Sequence, residues 1–409
     1  MAPNLYPSAQ RLGSLSQRAL AIGVIGLLAS AAGYFVAREE FFRAYLTAFF
    51  YVAGLGIGCL GILLLHCVVG GNWGVTVRRL LESGARTIPL IALLFVPLIF
   101  GLKDIYLWAQ PDFVAGDPLL QHKAPYLNVP FFLARTVGYL ALWSVMAMAV
   151  TKMSLAQDTN NDGAVGRRLR RLCGPMIIVH VLMVSFSSFD WIMSLEPHWY
   201  STIFGALALA GQNLATIALM IVITVGLGGD PVEKDPGTRQ NIYDLGNLLM
   251  AFTMFWAYLA FSQLLIIWAG NLPEEIPFFL KRFHDGWGVL GLGIILFHFI
   301  VPFLMLINRH TKRNPRILAR VAILILVMRL VETFYTVAPA HHELIPFSVH
   351  WLYLATPIGL GGIWLAALLN QLKGRSEVVG INHLGAPNKN HPGVQPHLAT
   401  AGGKGAHVG

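Results

Sequence analysis

Long apolar segments recur along the whole chain, and they constrain its fold more than any other feature. Each is about 20 residues or longer, enough for an α-helix to cross about 30 Å of hydrocarbon. Ten such segments can be drawn, at 18–37, 44–70, 86–109, 128–152, 172–193, 200–228, 243–269, 286–308, 316–337 and 346–371. The sequence therefore predicts an all-α, polytopic integral membrane protein with about ten transmembrane helices.

Composition agrees with a chain that is surrounded by membrane lipid. Of the 409 residues, 56% are hydrophobic and only 12% are charged, which is too apolar for a soluble domain. The formal net charge of +9 could suggest a nucleic-acid ligand, but the basic residues lie in short loops between apolar segments. We therefore expect no nucleic-acid partner.

The distribution of Lys and Arg predicts the orientation. Ten helices place both termini on one side, and the loops and tails of that side hold 20 of the 29 basic residues, against five in the opposite loops. The positive-inside rule then predicts cytoplasmic termini. We expect a cytoplasmic tail at 1–17, a membrane domain at 18–371 and a flexible cytoplasmic tail at 372–409, where Gly, Asn, Pro, His and Lys predominate.

The first apolar segment also has features of a secretory signal peptide. It follows Arg11 and Arg18 and contains the small residues Ala29, Ser30 and Ala31. Its nearly full spanning length favours retention as a membrane helix.

Cofactor motifs are not evident in the sequence. Its three cysteines form no haem-attachment or cluster-binding pattern, and the helical histidines His66 and His180 each stand alone on a segment, as does His298. The adjacent His341, His342 and Glu343 lack a spaced fourth ligand and are more typical of a solvated turn. We expect this chain to bind no cofactor and no metal.

Ionisable residues inside the predicted helices are the main candidates for function, because each costs about 2.5–3.5 kcal/mol to insert. The outer halves of four predicted helices hold three basic and three acidic residues: Lys103, Arg135, Arg329, Asp104, Asp190 and Glu332. They could form ion pairs that fasten helices together. They could equally form a proton route whose carboxylates change protonation state. The residues alone leave both interpretations open.

Helix 5 offers the most suggestive path for protons. His180 and Ser187 are seven residues apart and so share a helix face, and Asp190 lies about one turn further outward. His298, near the middle of helix 8, and Asp244, at the cytoplasmic start of helix 7, could extend the path inward. Each histidine could instead make a hydrogen-bonded contact between helices.

The adjacent carboxylates Glu274 and Glu275, at the outer end of helix 7, would repel each other unless a basic partner faces them. We interpret them as a partner contact or as exposed surface.

Three long segments resemble the ActF membrane protein of the bacterial alternative complex III. They are SFSSFDWIMSLEPHWYSTIFG at 185–205, FWAYLAFSQLLIIWAGNLPEEIPFFLKR at 255–282 and HFIVPFLMLINRHTKRNPRIL at 298–318. This family is similar in fold to the NrfD and polysulfide-reductase membrane anchors. The resemblance therefore implies two four-helix bundles and a further helix pair.

The resemblance also implies membership of a bacterial cytoplasmic-membrane complex that oxidises quinol, such as menaquinol, and reduces cytochrome c or another periplasmic carrier. Its redox centres would be iron–sulfur clusters and c-type haems in other subunits, an iron–sulfur protein and a multihaem cytochrome c. This subunit would pack beside a second NrfD-like membrane subunit and carry a proton route.

By family position, the resemblance assigns Asp190, His298 and Asp244 to that route. The chain departs from the family on helix 9, where relatives have a His three residues before an Asp and this chain has Arg329 and Glu332. A permanently charged guanidinium cannot relay protons as an imidazole can.

Two other functions remain open at this point. The chain could be an NrfD-type anchor that itself binds and oxidises quinol near Asp190, His180 and the outer aromatic residues. It could also be a stand-alone secondary transporter, a class that usually shows inverted repeats and broken helices near the membrane midplane.

Overall fold

The computed structural model describes residues 6–159, 164–340 and 346–373. The predicted tail from 374 onward, the first five residues of the predicted N-terminal tail, and His341, His342 and Glu343 lie outside these ranges. Ten long helices run through the described residues, and no strand occurs among them. They are α1 (Ala9–Val36), α2 (Arg38–Val69), α3 (Arg78–Phe100), α4 (Val129–Gln157), α5 (Ala164–Trp191), α6 (Phe204–Gly229), α7 (Pro236–Gly270), α8 (Trp287–Ile307), α9 (Pro315–Val337) and α10 (Leu352–Lys373).

Nine of these helices, all except α9, are long and apolar enough to cross a membrane, as judged over the described part of the chain. The remaining helix, α9, has 23 residues and carries Arg316, Arg320, Arg329 and Glu332. Many large apolar side chains of the other helices are exposed, including Ile25, Leu28 and Val289. A soluble protein does not expose apolar surface on this scale, so the protein is a multi-pass helical membrane protein.

Proline and capping side chains set where two of the helices begin. Asp235 caps α7 by accepting a 2.7 Å hydrogen bond from the backbone N–H of Thr238, and Pro236 occupies the first helical position. Hydrogen bonds from the Thr238 hydroxyl and backbone hold the pKa of Asp235 below its ordinary value. Asn314 and Pro315 begin α9 in the same way. These cap and proline residues therefore mark where α7 begins after α6 and where α9 begins after α8.

The helix ends meet at two faces of the molecule. The N-terminal face holds the start of α1, the connections at 70–77 and 308–314, and the end of α10. The far face holds the connections at 101–128, 192–203 and 271–286, with short helices at Leu102–Ile105, Pro111–Gly116, Pro118–Lys123 and Pro277–Phe283. The far-face connections are joined by hydrogen bonds, such as that from Lys123 Nζ to the carbonyl of Pro197 at 2.6 Å.

The enclosed helix α2 is the centre of the packing. It contacts α3, α5, α6, α9 and α10. Helix α6 also contacts α7 and α9, and α8 packs between α7 and α9. Helices α1 and α10 form a close pair, because Gly23 and Gly26 lie against Gly359 and Gly362 and let the two backbones touch.

The third predicted segment is displaced from the helix that the structure has. We predicted 86–109, whereas α3 runs from Arg78 to Phe100 and is followed by Gly101. The placement of Lys103 and Asp104 inside helix 3 is therefore wrong, and both lie in the short far-face helix Leu102–Ile105. Apolar residues continue past Phe100, so hydropathy gives no sign of the helix end there.

Candidate functional site

A buried ion pair joins α4 to α5 near the far face. Nε and Nη2 of Arg135 donate to Oδ2 and Oδ1 of Asp190, each at 2.9 Å, and the hydroxyl of Tyr139 donates to Oδ2 at 2.9 Å. Asp190 has no exposed surface. The carboxylate thus has two charge-assisted bonds in a planar, two-pronged geometry and a third donor.

Aromatic side chains at the far-face end of α4 enclose the guanidinium of Arg135. It lies 3.9 Å from the ring centroid of Tyr126 and 4.3 Å from that of Phe131, and it donates to the carbonyl of Tyr126 at 3.0 Å. Burial, and next the charge of Asp190, raise the pKa of Tyr126 to about 12. The pair is therefore enclosed by groups that keep their protonation state at neutral pH, and this geometry is typical of a structural tie.

A second carboxylate, Glu332 of α9, lies where α7, α8 and α9 meet. Nη1 of Arg329 is 2.5 Å from its Oε2, and Trp256 Nε1 on α7 donates to its Oε1 at 2.9 Å. The ring of His298 on α8 stacks on Trp256 with centroids 4.1 Å apart, and its Nδ1 is 3.9 Å from Oε2 of Glu332. Three helices therefore bring an imidazole, an indole and an ion pair together.

The backbone of α8 is irregular at this cluster. Residues Ile295–Ile300 form a π-helical turn, and His298 lies within it with no exposed surface. Such turns insert a residue into an α-helix and often occur at functional sites. On α6, Gly211 leaves room for Arg329, since a Cβ there would be 2.4 Å from the guanidinium carbon.

Cavities lie beside Glu332. One has a volume of about 580 Å³ and is lined mainly by apolar residues of α7, α8 and the helix Pro277–Phe283, with Gln263, Arg282 and Glu332 among its polar residues. The other, of about 30 Å³, is lined by Arg329, Glu332, Thr333 and Thr336 among others. The smaller cavity is large enough for one or two water molecules.

His180 lies apart from both carboxylates, in a polar seam between α2, α5 and α6. Neither of its ring nitrogens has a hydrogen-bond partner among the described residues, and the same holds for Oδ1 of Asn213 and Oε1 of Gln212. A methyl group on Gly61 would lie 2.7 Å from His180 Nε2 and 3.1 Å from Asn213 Oδ1. Both polar groups therefore approach the same point of α2.

Among the described residues, no direct side-chain link joins His180 to Asp190 along α5. The hydroxyl of Ser187 donates to the carbonyl of Val184 on its own helix at 3.1 Å, so no bond links His180 to Asp190 through it. Asp244, near the N-terminal face, accepts from Gln240 at 3.0 Å. Two of the predicted charge partners, Arg135 and Arg329, pair with Asp190 and Glu332 respectively.

The other predicted charged residues lie at the far face. Lys103 is exposed, and Asp104 pairs with the exposed Arg38 at 3.1 Å. They therefore do not belong to a buried lattice. Glu274 is exposed and Glu275 half-buried, and Glu274 lines an open cleft of about 390 Å³. The prediction that they form a partner contact or exposed surface stays a prediction.

Sequence reasoning missed two clusters of charged residues, one buried and one nearly buried. At the N-terminal face, Glu82 is fully buried and pairs with Arg78 at 3.3 Å and Arg79 at 2.6 Å, and the hydroxyl of Ser154 on α4 donates to it. At the far face, Glu196 pairs with Arg282 at 2.9 Å. All these charged residues had been assigned to connections, where solvent exposure is the ordinary expectation. The one sequence feature that could have predicted these clusters is the presence of opposite charges close to a helix end.

No group of three or more metal-ligating side chains that could hold an ion occurs among the residues that the structure describes. No protein-family model matches the sequence, and no curated protein matches it significantly.

Proposed function

We propose that this chain is a scaffold and proton-conducting membrane subunit of a complex that oxidises quinol and reduces cytochrome c or another periplasmic carrier. The main support is Glu332, a buried carboxylate that lies between an imidazole and a water-sized cavity where three helices meet. Ionisable residues inside membrane helices commonly belong to functional sites, and proton relays are one class of such sites. The assignment of this chain to a quinol-oxidising complex rests on the sequence resemblance alone.

In this proposal the chain crosses a bacterial cytoplasmic membrane ten times and has both termini in the cytoplasm. Helix α9 would be the tenth span, because 23 residues reach about 35 Å at 1.5 Å each and its buried charges are paired inside the protein. The bias in Lys and Arg between alternate loops supports the orientation.

The observed contacts are also compatible with two bundles. Helices α2, α3, α4 and α5 contact one another in sequence, α6, α7, α8 and α9 do likewise, and α1 pairs with α10. We propose these as the two four-helix bundles and the further pair. The second NrfD-like subunit, the iron–sulfur protein and the multihaem cytochrome c would hold the quinol site and the redox centres.

The proposed reaction at Glu332 is a proton transfer that requires no electron transfer. An imidazole binds a proton at one ring nitrogen and releases one at the other, so His298 can pass a proton toward Glu332. The carboxylate becomes neutral when it takes the proton, and it regains its ion pair with Arg329 when the proton leaves. Asp244 at the N-terminal face would admit the proton. Asp190 serves as a tie between helices and lies outside this path.

The proposal is tested on the intact assembly purified from native membranes in a mild detergent. Mass spectrometry and haem spectra of the co-purifying proteins are expected to reveal an iron–sulfur protein and a multihaem cytochrome. After reconstitution into liposomes, Glu332→Gln should lower the protons released per electron while quinol oxidation continues. Asp112→Asn, at an exposed far-face carboxylate, is the matched control.

Proton release in Glu332→Gln that equals wild type would reject the proton path. A chain that purifies alone and transports protons without other subunits would instead support a secondary transporter.

A second candidate function has a specific observation in its favour. The cavity of about 580 Å³ is mostly apolar, has a carboxylate and a guanidinium among its lining groups, and is of a size for a quinol head group and part of its tail. A quinol bound by this chain would contact Glu332, and not Asp190, because Arg135 and Tyr139 enclose Asp190. A photoreactive quinol analogue should then label residues near Ala260, and Ala260→Trp should abolish labelling.

A further inference from the structure

Glu196 is a nearly buried carboxylate that the path described so far does not use. It follows the 3₁₀ turn Met193–Leu195 in the connection between α5 and α6 and is nearly buried, with 9% of its side chain exposed. Its Oε1 lies 2.9 Å from Arg282 Nη1, and its Oε2 lies 3.4 Å from Lys281 Nζ. The carboxylate thus lies just inside the far face, beside two cations.

Arg282 links Glu196 to the helix that carries Glu332. Its Nη2 donates to the carbonyl of Thr336 at 2.6 Å and its Nε to that of Tyr335 at 3.3 Å, both on the last turns of α9. Thr336 is one turn beyond Glu332, and its hydroxyl donates to the carbonyl of Glu332 at 2.9 Å. The guanidinium is fixed in position, because Nη1 also donates to the carbonyl of Phe278 at 2.8 Å.

Three cavities form a series between Glu332 and the far face. The cavity of about 30 Å³ beside Glu332 shares Ile192, Phe204 and Thr336 with one of about 10 Å³ that is lined by Glu196 and Arg282. That second cavity shares Glu196 and Trp199 with the open cleft of about 390 Å³ at the far face. The two inner spaces are close to the size that one or two water molecules require. Glu196 is the carboxylate that lines both the second cavity and the cleft.

We propose that Glu196 carries the proton from Glu332 to the far-face cleft, an inference that rests on the proposed proton-conducting function. The proton leaves Glu332, crosses the water-sized spaces and binds the carboxylate of Glu196, which becomes neutral. The side chains of Arg282 and Lys281 stay beside the carboxylate, at 2.9 and 3.4 Å. The proton then passes on to water in the cleft, the carboxylate regains its ion pairs, and no electron moves.

The test compares Glu196→Gln with Glu332→Gln in the reconstituted native assembly, with Asp112→Asn as the control. Glu196→Gln is expected to lower the protons released per electron severalfold, to the level of Glu332→Gln, while quinol oxidation continues. Glu196→Asp, which keeps the carboxyl group, is expected to recover part of that release. A purely structural ion pair would leave the ratio of protons to electrons unchanged.

Two outcomes separate this inference from the function on which it rests. Wild-type proton release in Glu196→Gln combined with a loss in Glu332→Gln would overturn the role of Glu196 alone. Wild-type release in both variants would overturn the proton path itself.

A second measurement does not depend on the stability of Glu196→Gln. A cysteine at position 336 (Thr336→Cys) should bind Ag⁺ added at the far face and so be protected from later alkylation, because this ion is no larger than a water molecule and the cavities connect position 336 to the cleft. A cysteine at position 253 (Thr253→Cys), which replaces a fully buried residue on α7, is the control and should not be protected. Peptide mass spectrometry distinguishes both from Cys59, Cys67 and Cys173. A cysteine at position 336 that Ag⁺ does not protect would overturn the proposed path.

Discussion

Two buried Arg–carboxylate pairs consist of the same chemical groups, but one joins two helices and the other lies within a single helix. Arg135 and Asp190 join two helices through two bonds of 2.9 Å, and Tyr139 completes the coordination of the carboxylate. Arg329 and Glu332 are three residues apart on one helix and share one close contact. The difference shows that a buried charge in a membrane helix does not by itself identify a proton path, since the first pair fastens helices.

The surroundings decide which carboxylate can change its protonation state. Protonation of Asp190 would disrupt a bond on each oxygen and leave the guanidinium of Arg135 without its partner. Arg282 beside Glu196 differs, because it also donates to three backbone carbonyls and stays hydrogen-bonded when that carboxylate is neutral. Protonation of Glu332 would disrupt one ion pair, and water-sized space and the imidazole of His298 lie nearby. We therefore expect mutations at the first pair to lower stability most and mutations at the second to affect proton transfer most.

The largest expected loss of stability comes from Asp190→Ala. It leaves the buried charge of Arg135 without a partner, which should lower the free energy of unfolding by about 3–5 kcal/mol. The double variant Arg135→Met with Asp190→Leu removes both charges and should recover most of this loss. Unfolding in mixed micelles, followed by circular dichroism, measures both. Wild-type stability in the single variant would contradict the interpretation of this pair as a tie.

The next largest effect is expected at Trp256→Phe. The variant keeps a ring for His298 to stack on and removes the indole N–H that donates to Glu332 at 2.9 Å. Loss of a hydrogen bond to a charged group should cost about 1.5–3 kcal/mol. Trp268→Phe, at a ring that is 75% exposed, is the matched control. Equal unfolding free energies for the two variants would show that the indole does not hold Glu332 in place.

The sequence predicts the helical membrane class well, because ten apolar segments are a strong and repeated signal. Each predicted segment overlaps a helix of the structure, although α1 begins at Ala9 rather than near residue 18 and α3 begins at Arg78 rather than near residue 86. Hydropathy does not distinguish a polar first turn of a helix, such as that of α3, from a loop. The pairing of Glu82 with two arginines explains why this turn is buried.

The candidate site was only partly predictable. The sequence predicts Arg135, Asp190, Arg329 and Glu332 as site residues. It does not predict which charges pair, because contacts between distant helices leave no periodic pattern in the sequence. It placed His180 and Asp190 on one path because they share a helix. In the structure His180 faces Gly61 of α2, and Asp190 faces Arg135 of α4. Neighbouring helices, and not spacing within one helix, determine each environment.

A pair of glycine variants compares the space around the two ion pairs. A methyl group at Gly211 would lie 2.4 Å from the guanidinium of Arg329, whereas one at Gly138, beside Tyr139, would meet no atom within 4 Å. Gly211→Ala should therefore displace Arg329 from Glu332 and cost about 1–3 kcal/mol of unfolding free energy. Gly138→Ala should gain about 0.5–1 kcal/mol from its higher helix propensity. Losses of similar size in both variants would contradict the close approach at Gly211.

The smallest effect is expected at a partly exposed carboxylate of the far face, Asp117, whose ion pair is the most solvated of the comparison. Asp117 Oδ2 lies 2.6 Å from His198 Nε2, and the two side chains are 19% and 52% exposed. Partial burial by itself raises the pKa of Asp117, but hydrogen bonds from the backbone of Leu120, from His198 and from the backbone of Leu119 together hold it below its ordinary value of 3.8. Its charge therefore favours the folded state above pH 3.8.

Asp117→Asn keeps the size of the side chain and removes its charge, so it should destabilise the protein by less than about 1 kcal/mol at neutral pH and low salt. Because the pKa of Asp117 is lowered on folding, this difference from wild type should shrink as the pH falls below 3.8. It should also shrink at high salt, since solvent ions screen an exposed pair more than a buried one. Thermal unfolding in micelles at several pH values and salt concentrations measures it. A difference that persists in acid and in high salt would show that Asp117 acts through its loop contacts rather than through its charge.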